Sequence, residues 1–364
     1  MEGKKSYNGV IDLWKMIFCL AILVMHVGDV YHGKTFYLKN GRFGVEFFFI
    51  VSGFFMTAHV MRKDENTSLK NIGQENLKFM WSKIKTILPA YIPTWIMALV
   101  NYINRVSIPI LETKGVDKFV MNLIFAVPNF MLLEMSGIKE SMVMGVSWYI
   151  SAMLIVMFIT YPMLRKWRRN YCYIAAPMIA ILLAGYASII YSQDNSSVHF
   201  WLGFMKNGLL RAFVSINLGC VAYLISDRIK NSMATMSKGK LAGLRIAEPL
   251  LYISSLVIMH FGEYQSINII NIMFTIAIAI TMSGSSAFSR ICNNNLCRMM
   301  GKLSLWIYLV QSPVRQYVKQ TWPDISYLKG FVLITVPTII LSIVGYAIWS
   351  MIQKYRSKSK VNTI

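Results

Sequence analysis

Ionisable residues inside apolar stretches are the first candidates for chemistry in this sequence. Lys15 and His26 lie in one apolar stretch and are eleven residues apart, and Asp12 precedes Lys15 by three. Eleven steps of 100° return to nearly the same face of an α-helix, so the three side chains form one stripe, with His26 roughly 16 Å from Lys15. Because an ionisable group in an apolar helix is costly and usually functional, this stripe is the first candidate site.

A carboxylate in the next apolar stretch is the predicted partner of the His26 imidazole. If the two stretches form consecutive antiparallel helices, Glu46 lies at the depth of His26, where it can fix the tautomer of the ring. We therefore predict His26 and Glu46 as a catalytic pair. The sequence is equally compatible with Glu46 pairing with Arg42 or Lys39, and with a His26 that only hydrogen-bonds to neighbouring backbone. Gly53, one heptad after Glu46, predicts close helix packing.

Cations at the ends of the apolar stretches are candidates for binding an anionic substrate. Lys83 and Lys85 precede the third stretch and Arg62 follows the second. Together with Lys15 they are predicted to hold the phosphates of a nucleotide-bearing donor, although membrane topology alone also favours cations there. Arg211, at the start of the sixth stretch, is predicted to bind an anionic substrate group; the alternative is that it reaches lipid headgroups by snorkelling.

Composition places the elements that carry these residues in a membrane. Of the 364 residues, 55% are hydrophobic and 15% are charged, and the mean hydropathy is +0.49. A soluble globular chain has about a quarter charged residues, so the excess apolar surface must face lipid. The net charge of +21 does not indicate nucleic acid, because the basic residues lie between apolar blocks and form no basic face on a soluble domain.

Ten apolar stretches are long enough to cross a bilayer. They are residues 10–28, 43–61, 87–104, 143–164, 173–191, 207–226, 246–262, 267–284, 302–318 and 330–352. The stretch 119–133 is short and broken by Pro128, so we predict an interfacial or re-entrant segment there. The predicted fold class is an all-α polytopic membrane protein of about ten transmembrane helices plus this segment.

The distribution of basic residues predicts the orientation of the chain. With the N-terminus in the cytoplasm, the inner segments hold 24 Lys and Arg and the outer segments 11, when Lys302 and Arg315, near the two ends of the stretch 302–318, are counted with the adjoining segments. Lys15 and Arg211 lie within spans. This asymmetry follows the positive-inside rule and places both termini in the cytoplasm of a multi-pass cell-membrane protein. We predict one membrane domain over residues 1–352 and a basic cytoplasmic tail over residues 353–364. The first apolar stretch lacks a cleavage site and is expected to be retained.

Cysteine and histidine usage gives no sign of a metal site. The five cysteines form no even framework and show none of the usual zinc spacings. Cys292 and Cys297 fall in a short basic loop on the predicted cytoplasmic side, where a disulfide is not expected. His59, His199 and His260 have no partner that the sequence identifies. We therefore predict no metal and no disulfide.

Two motifs in the first and second stretches resemble those of acyltransferase family 3, the bacterial membrane acyltransferases that modify envelope glycans. That family has Asp, then Arg three residues on, then His after about ten more; here IDLWKMIFCLAILVMH supplies Asp12, Lys15 and His26. The family's second helix reads like GVDLFFVLSGF, and this chain has GVEFFFIVSGFFMT. Three looser matches follow in family order, so that the resemblance spans most of the chain: WSKIKTILPAY, VSWYISAMLIVMFITYPML and GKLSLWIYLVQSPV.

The chain departs from the family pattern at four places. Lys15 replaces the usual Arg, which keeps the charge and loses the bidentate geometry. Thr86 stands where a second basic residue is usual, Gln311 stands where a His is common, and the fourth stretch lacks the Glu often found after its Trp. These departures leave family membership intact and put the substrate class and the level of activity in question.

The resemblance implies a membrane O-acyltransferase. The donor is an acyl-CoA from the cytoplasm, by default acetyl-CoA, which is a substrate and not a resident cofactor. The acceptor is a hydroxyl of an envelope or exported glycan; His26 would deprotonate it or assist acyl passage, and Glu46 would orient His26. The predicted substrate-binding residues are Asp12, Ser147, Trp148, Tyr149 and Arg211. The alternatives are a transporter or flippase of a lipid-linked glycan and a catalytically inactive scaffold. Sequence fixes neither the acyl group nor the oligomeric state.

Overall fold

The computed structural model describes residues 8–31, 37–191 and 197–361, which are almost entirely helical. Ten long helices make up most of these ranges. They are α1 (Gly9–Val30), α2 (Gly44–Met61), α3 (Leu69–Tyr102), α4 (Trp148–Asn170), α5 (Ala176–Tyr191), α6 (Asn207–Ser232), α7 (Lys238–Phe261), α8 (Ile267–Ser283), α9 (Asn295–Thr321) and α10 (Tyr327–Val361). Each predicted span coincides with or lies mainly within one of these helices.

Short elements connect the long helices. The short helices are Ile108–Lys114, Val116–Ile124, Val127–Phe130 and Ser289–Cys292, the 3₁₀ turns are Gly41–Phe43, Gly145–Ser147 and Tyr264–Ser266, and the π turns are Ile103–Ser107 and Tyr171–Ala175. The two strands β1 (Trp201–Leu202) and β2 (Met205–Lys206) form a small antiparallel hairpin that pairs Trp201 with Lys206. This hairpin lies beside the site described below.

Length and composition identify membrane-crossing helices in the described ranges. Eight stretches there are long and apolar enough to cross a bilayer. One of them, residues 145–189, contains α4 and most of α5. The backbone breaks near the end of α4 at Arg168, where φ is 49°, and the π turn Tyr171–Ala175 leads into α5. The helix α9 carries charged residues near both ends and is not among the eight. The predicted all-α polytopic class is confirmed, and the orientation of the termini stays a prediction.

Polar side chains cap several helices that begin at the end of the bundle where α1 starts. We call this end the inner side, after the predicted topology. The Asn8 side chain accepts hydrogen bonds from the backbone N–H groups of Val10 and Ile11 at the start of α1. Ser237 and Asn294 cap α7 and α9 in the same way. Such caps satisfy backbone donors that have no partner within the helix.

Glycines bring the central helices into backbone contact. A Cβ at Gly53 of α2 would overlap the carbonyl group of Ile216 in α6, and a Cβ at Gly219 of α6 would overlap the carbonyl oxygen of Ile50. The predicted close approach at Gly53 is therefore confirmed. Near the other end of α2, Gly44 packs on Phe18 of α1. Phe18 thus meets the start of α2, whereas Lys15, earlier in α1, lies over the ring of Phe55 later in α2, so the two helices are antiparallel, as predicted.

Two segments were predicted to lie outside the spans: an interfacial or re-entrant segment and a C-terminal tail. Residues 116–130 form two short helices, neither of them long enough to cross a bilayer, with an exposed apolar face that includes Val120 and Ile124. This matches the predicted interfacial or re-entrant segment. The helix α10 runs without interruption to Val361, so that the beginning of the predicted tail continues the last helix. The domain boundary at residue 352 remains a prediction.

Candidate active site

A cavity of about 460 Å³ lies in the outer half of the bundle. We call it the outer cavity; it is lined by Ile22, Met25, His26, Arg42, Val45, Gly145, Trp148, Ser197, Val198, Arg211 and Tyr308. It therefore brings together the late part of α1, the start of α2, the entry to α4 and the first turns of α6. His26 and Arg211 were both predicted from sequence as site residues, and both line it.

The imidazole of His26 contacts a cation that sequence reasoning missed. A guanidinium nitrogen of Arg315, on α9, lies 2.6 Å from Nδ1 of His26. A guanidinium can only donate hydrogen bonds, so Nδ1 accepts and the ring hydrogen of the neutral imidazole is on Nε2. In this arrangement His26 is a hydrogen-bond donor through Nε2. The contact could have been suspected from the sequence, because Arg315 lies near the outer end of a span, at the depth of His26.

Glu46 pairs with Arg211 and not with His26. Arg211 Nε lies 2.6 Å from one carboxylate oxygen of Glu46 and Nη2 lies 2.8 Å from the other. Both side chains are almost fully buried, and the guanidinium also lies 5.1 Å from the centre of the Trp148 ring. The direct Glu46–His26 contact expected from helix depth is therefore not formed, because a buried arginine occupies both oxygens. Pairings of Glu46 with Arg42 or Lys39 are not formed either.

A second cavity, of about 250 Å³, lies in the inner half of the bundle. We call it the inner cavity; it is lined by Lys15, Phe48, Val51, Ser52, Phe55, Lys83, Thr86, Ile87, Tyr149, Ile150, Met153, Gly301, Ser304, Leu305 and Tyr308. Two of the predicted donor-binding cations, Lys15 and Lys83, are in this lining. The rest of the wall is mostly apolar.

The other two predicted cations lie elsewhere. Lys85 is exposed and its ammonium lies 5.3 Å from the ring of the exposed Trp81, while Arg62 donates to the backbone carbonyl of Ala58 within its own helix. Lys83 and Lys85 are two residues apart, which puts their side chains about 200° apart on α3. Neither Lys85 nor Arg62 belongs to the lining of the inner cavity.

Tyr308 of α9 lines both cavities. Its buried hydroxyl donates to the backbone carbonyl of Val146, 2.9 Å away, which fixes the ring between α9 and the entry to α4. Tyr149 packs edge-on against it, with ring centres 5.5 Å apart. One aromatic side chain thus forms the wall between a cavity with two lysines and a cavity with a histidine.

Comparison with known proteins assigns the chain to a family. The profile of acyltransferase family 3, described as an acyltransferase domain, matches residues 8–347, nearly the whole chain. The chain belongs to this family. It is therefore a multi-pass membrane acyltransferase, and the resemblance found in its sequence motifs is confirmed. No curated protein and no solved structure matched the chain.

The predicted substrate-binding residues of this acyltransferase are distributed over both cavities. Trp148 lines the outer cavity and Tyr149 lines the inner one. Asp12 accepts a hydrogen bond from Lys15 Nζ at 2.8 Å and packs against Gly301, where a Cβ would overlap its carboxylate. Asp12 therefore holds Lys15 at the inner cavity. Ser147 is fully buried behind the outer cavity and donates to the carboxylate of Glu134.

Ser147 belongs to a polar cluster of the acyltransferase that sequence reasoning missed. We call it the outer cluster; it consists of Asn129, Glu134, Glu140, Ser147, His199 and Lys206. Burial raises the pKa of Glu134 well above its ordinary value and also raises the pKa of Glu140. Burial, with the nearby Lys206 ammonium, lowers the pKa of His199 to about 4. The available signal was the concentration of polar residues in the two outer segments that precede α4 and α6.

Proposed function

We propose that this acyltransferase transfers an acyl group, by default acetyl, from acyl-CoA on the inner side to a hydroxyl of an envelope or exported glycan on the outer side. The observation that carries the proposal is the pair of cavities on either side of Tyr308. The inner one has two lysines and an apolar wall, and the outer one has His26. An acyl-CoA has a matching division into anionic phosphates, an elongated arm and a terminal thioester.

The inner cavity suits the donor for reasons of charge and shape. Lys15 and Lys83 offer ammonium groups for phosphate oxygens, to which lysine binds as a point charge. The apolar wall formed by residues such as Phe48, Phe55 and Met153 suits the pantetheine arm. In this arrangement the thioester reaches the neighbourhood of Tyr308, with the phosphates at the inner end.

His26 acts on the thioester from the outer cavity. The acceptor hydroxyl oxygen forms a bond to the thioester carbonyl carbon, the C–S bond breaks, and the hydroxyl proton leaves with the CoA thiol. Negative charge develops on the carbonyl oxygen during this step, and a preorganised donor there lowers the barrier. With Nδ1 occupied by Arg315, the Nε2–H of His26 is such a donor. This role replaces the general-base role predicted from sequence, which needs a lone pair on Nε2.

The buried Glu46–Arg211 pair shapes the acceptor side. Because the Arg211 charge is compensated by Glu46 at 2.6 and 2.8 Å, the pair presents a polar wall with little net charge. Trp148 stacks on the guanidinium and offers an aromatic face. An uncharged sugar hydroxyl suits this wall better than an anionic group does.

Mass spectrometry of envelope glycans tests the proposed function. Glycans are compared before and after mild alkali from cells that express the chain, its His26→Ala variant, or neither. We expect an alkali-labile acyl mass only with the unaltered chain, since esters are alkali-labile and His26 acts on the thioester. Glycans that are identical in all three strains, with the protein present in the membrane, would contradict the proposal and favour transport or an inactive scaffold.

A further inference from the structure

The outer cluster joins two outer segments of the chain beside the outer cavity. Glu134 and Glu140 come from the segment that precedes α4, and His199 and Lys206 come from the segment that contains the β1–β2 hairpin. Neighbours of these residues, among them Gly145 and Val198, line the outer cavity. The cluster therefore lies directly behind the wall of the outer cavity.

One oxygen of each carboxylate is held by the protein. Oε2 of Glu134 accepts hydrogen bonds from Ser147 Oγ and, at 3.4 Å, from Asn129 Nδ2. Oε1 of Glu140 lies 3.7 Å from the ammonium of Lys206, which also donates to the backbone carbonyl of Glu134 at 2.6 Å. These contacts fix the orientation of both carboxylates.

The other oxygen of each carboxylate is buried and has no hydrogen-bond partner in the described part of the chain. These atoms are Oε1 of Glu134 and Oε2 of Glu140, and the Glu134 side chain has 0% of its surface exposed. Nε2 of His199 lies 3.5 Å from Oε1 of Glu134, which is longer than a good hydrogen bond. Glu134, Glu140 and His199 each offer one ligand atom, and the three atoms all lie within 4.8 Å of one another.

We propose that Glu134, Glu140 and His199 bind a divalent metal ion of the zinc or manganese class, with zinc as the first candidate. Metal–ligand bonds of about 2.0 to 2.1 Å in a tetrahedral zinc site put neighbouring ligand atoms roughly 3.3 Å apart, close to the separation of the His199 and Glu134 atoms. One imidazole nitrogen and two carboxylate oxygens suit zinc or manganese, whereas calcium and magnesium prefer oxygen alone. The three protein ligands leave a position for water.

The surrounding residues complete such a site. Ser147, Asn129 and Lys206 orient the ligating carboxylates from behind, as second-sphere partners do in metal proteins. When Glu134 and Glu140 are both ionised, their two charges exceed the single charge of the Lys206 ammonium, and a bound divalent cation offsets the difference and favours the ionised forms. The bound ion would tie the hairpin to the start of α4 and so fix one wall of the outer cavity. Cysteine spacing gave no hint of this site because its ligands are glutamate and histidine.

Metal content of the intact chain tests this inference without any measurement of transfer. The full chain, purified in detergent, is stripped with a chelator, loaded with zinc chloride and desalted before elemental mass spectrometry. We expect about one zinc per chain in the unaltered protein. In the His199→Ala and Glu140→Gln variants we expect zinc to fall to background. Asp117→Asn, which alters an exposed carboxylate of the same outer segment, is the matched control and should keep the zinc.

The inference is overturned if the unaltered chain retains no more metal than the His199→Ala variant. Cobalt substitution guards against variants that fail to fold. The unaltered chain loaded with Co²⁺ should show the intense visible absorption of a low-coordinate cobalt site, and added zinc should abolish it. A spectrum indistinguishable from hexaaqua cobalt would also overturn the inference. Because neither readout depends on acyl transfer, failure here leaves the proposed function untouched.

Discussion

The chemistry proposed for this acyltransferase depends most on the side chain of His26. Its Nδ1 accepts a hydrogen bond from Arg315, so in the proposed reaction the ring acts through its Nε2–H. The sequence predicted that His26 deprotonates the acceptor hydroxyl or assists acyl passage, with Glu46 orienting the ring, whereas in the structure Glu46 pairs with Arg211. The difference arises because Glu46 and Arg211 are 165 residues apart in the chain, and helical periodicity does not say which spans pack together.

Two substitutions of His26 distinguish a hydrogen-bond donor from a general base. Glutamine at position 26 keeps an N–H donor and cannot act as a base, whereas alanine keeps neither. We expect His26→Gln to retain measurable transfer and His26→Ala to lose it by about a hundredfold to a thousandfold, the usual loss for one donor to a developing oxyanion. Steady-state kcat in detergent, with protein level matched by immunoblot, is the measurement. Equal inactivity of the two variants would instead support a base.

The buried Glu46–Arg211 pair makes a second prediction at the scale of single residues. Removing one partner leaves a buried charge without compensation, which costs about 3 to 5 kcal/mol. We expect Glu46→Gln to lower the thermal stability of the purified protein sharply. The double variant Glu46→Leu with Arg211→Met removes both charges and should be more stable than Glu46→Gln alone. The single variants Glu46→Leu and Arg211→Met are measured beside it. A double variant whose loss of stability equals the sum of these two single losses would show that the two residues do not act as a pair.

At the scale of helices, α3 carries one lysine that faces the inner cavity and one that does not. Lys83 lines this cavity and Lys85 is exposed on the other side of the helix. We expect Lys83→Ala to raise the KM for acyl-CoA by about tenfold to a hundredfold, the range for one hydrogen bond to a charged group. Lys85→Ala is the matched control and should leave this KM within about twofold. Equal effects of the two substitutions would mean that the phosphates bind outside the inner cavity.

The contact between α2 and α6 gives a prediction about packing. Gly53 touches the backbone of Ile216, whereas a Cβ at Gly73 of α3 would meet nothing within 4 Å. We expect Gly53→Ala to destabilise the protein by about 1 to 3 kcal/mol because the helices must separate. Gly73→Ala should be neutral or stabilising by up to about 1 kcal/mol, since it removes backbone freedom from a helix. The stabilities of the two variants are compared by thermal unfolding in the same detergent. A Gly53→Ala protein as stable as Gly73→Ala would contradict the observed packing.

For the whole molecule, apolar length predicted all ten long helices, and the spacing of Lys15 and His26 predicted side chains that line the two cavities. What sequence could not give were contacts between distant segments. Arg315 reaches His26 across 289 residues, and His199 meets Glu134 because the segment that contains the hairpin packs against the segment that precedes α4. Periodicity places a residue on a face of a helix, and the packing of helices decides what that face meets.

The orientation of the whole molecule in the membrane decides which cavity faces the cytoplasmic supply of acyl-CoA. Both termini are predicted to be cytoplasmic, which puts Lys15 and Lys83 on the side of the donor. We expect a single cysteine introduced at Lys354, in a cysteine-free background, to react with a membrane-impermeant maleimide only after cells are opened. A cysteine introduced at Asp117 should react in intact cells. The reversed pattern would place the inner cavity outside and contradict the proposed entry of acyl-CoA.

Transfer of label across sealed membranes tests whether the acyl group passes from the inner side of the protein to the outer side. Vesicles of known orientation that contain the protein and its glycan acceptor are given radiolabelled acetyl-CoA on one side only. We expect ester-linked label on the glycan only when acetyl-CoA is supplied on the inner side, and we expect this label to be lost in His26→Ala vesicles. Label that appears equally from either side, or that persists without His26, would contradict an acyl group passing from the inner cavity to His26 at the outer one.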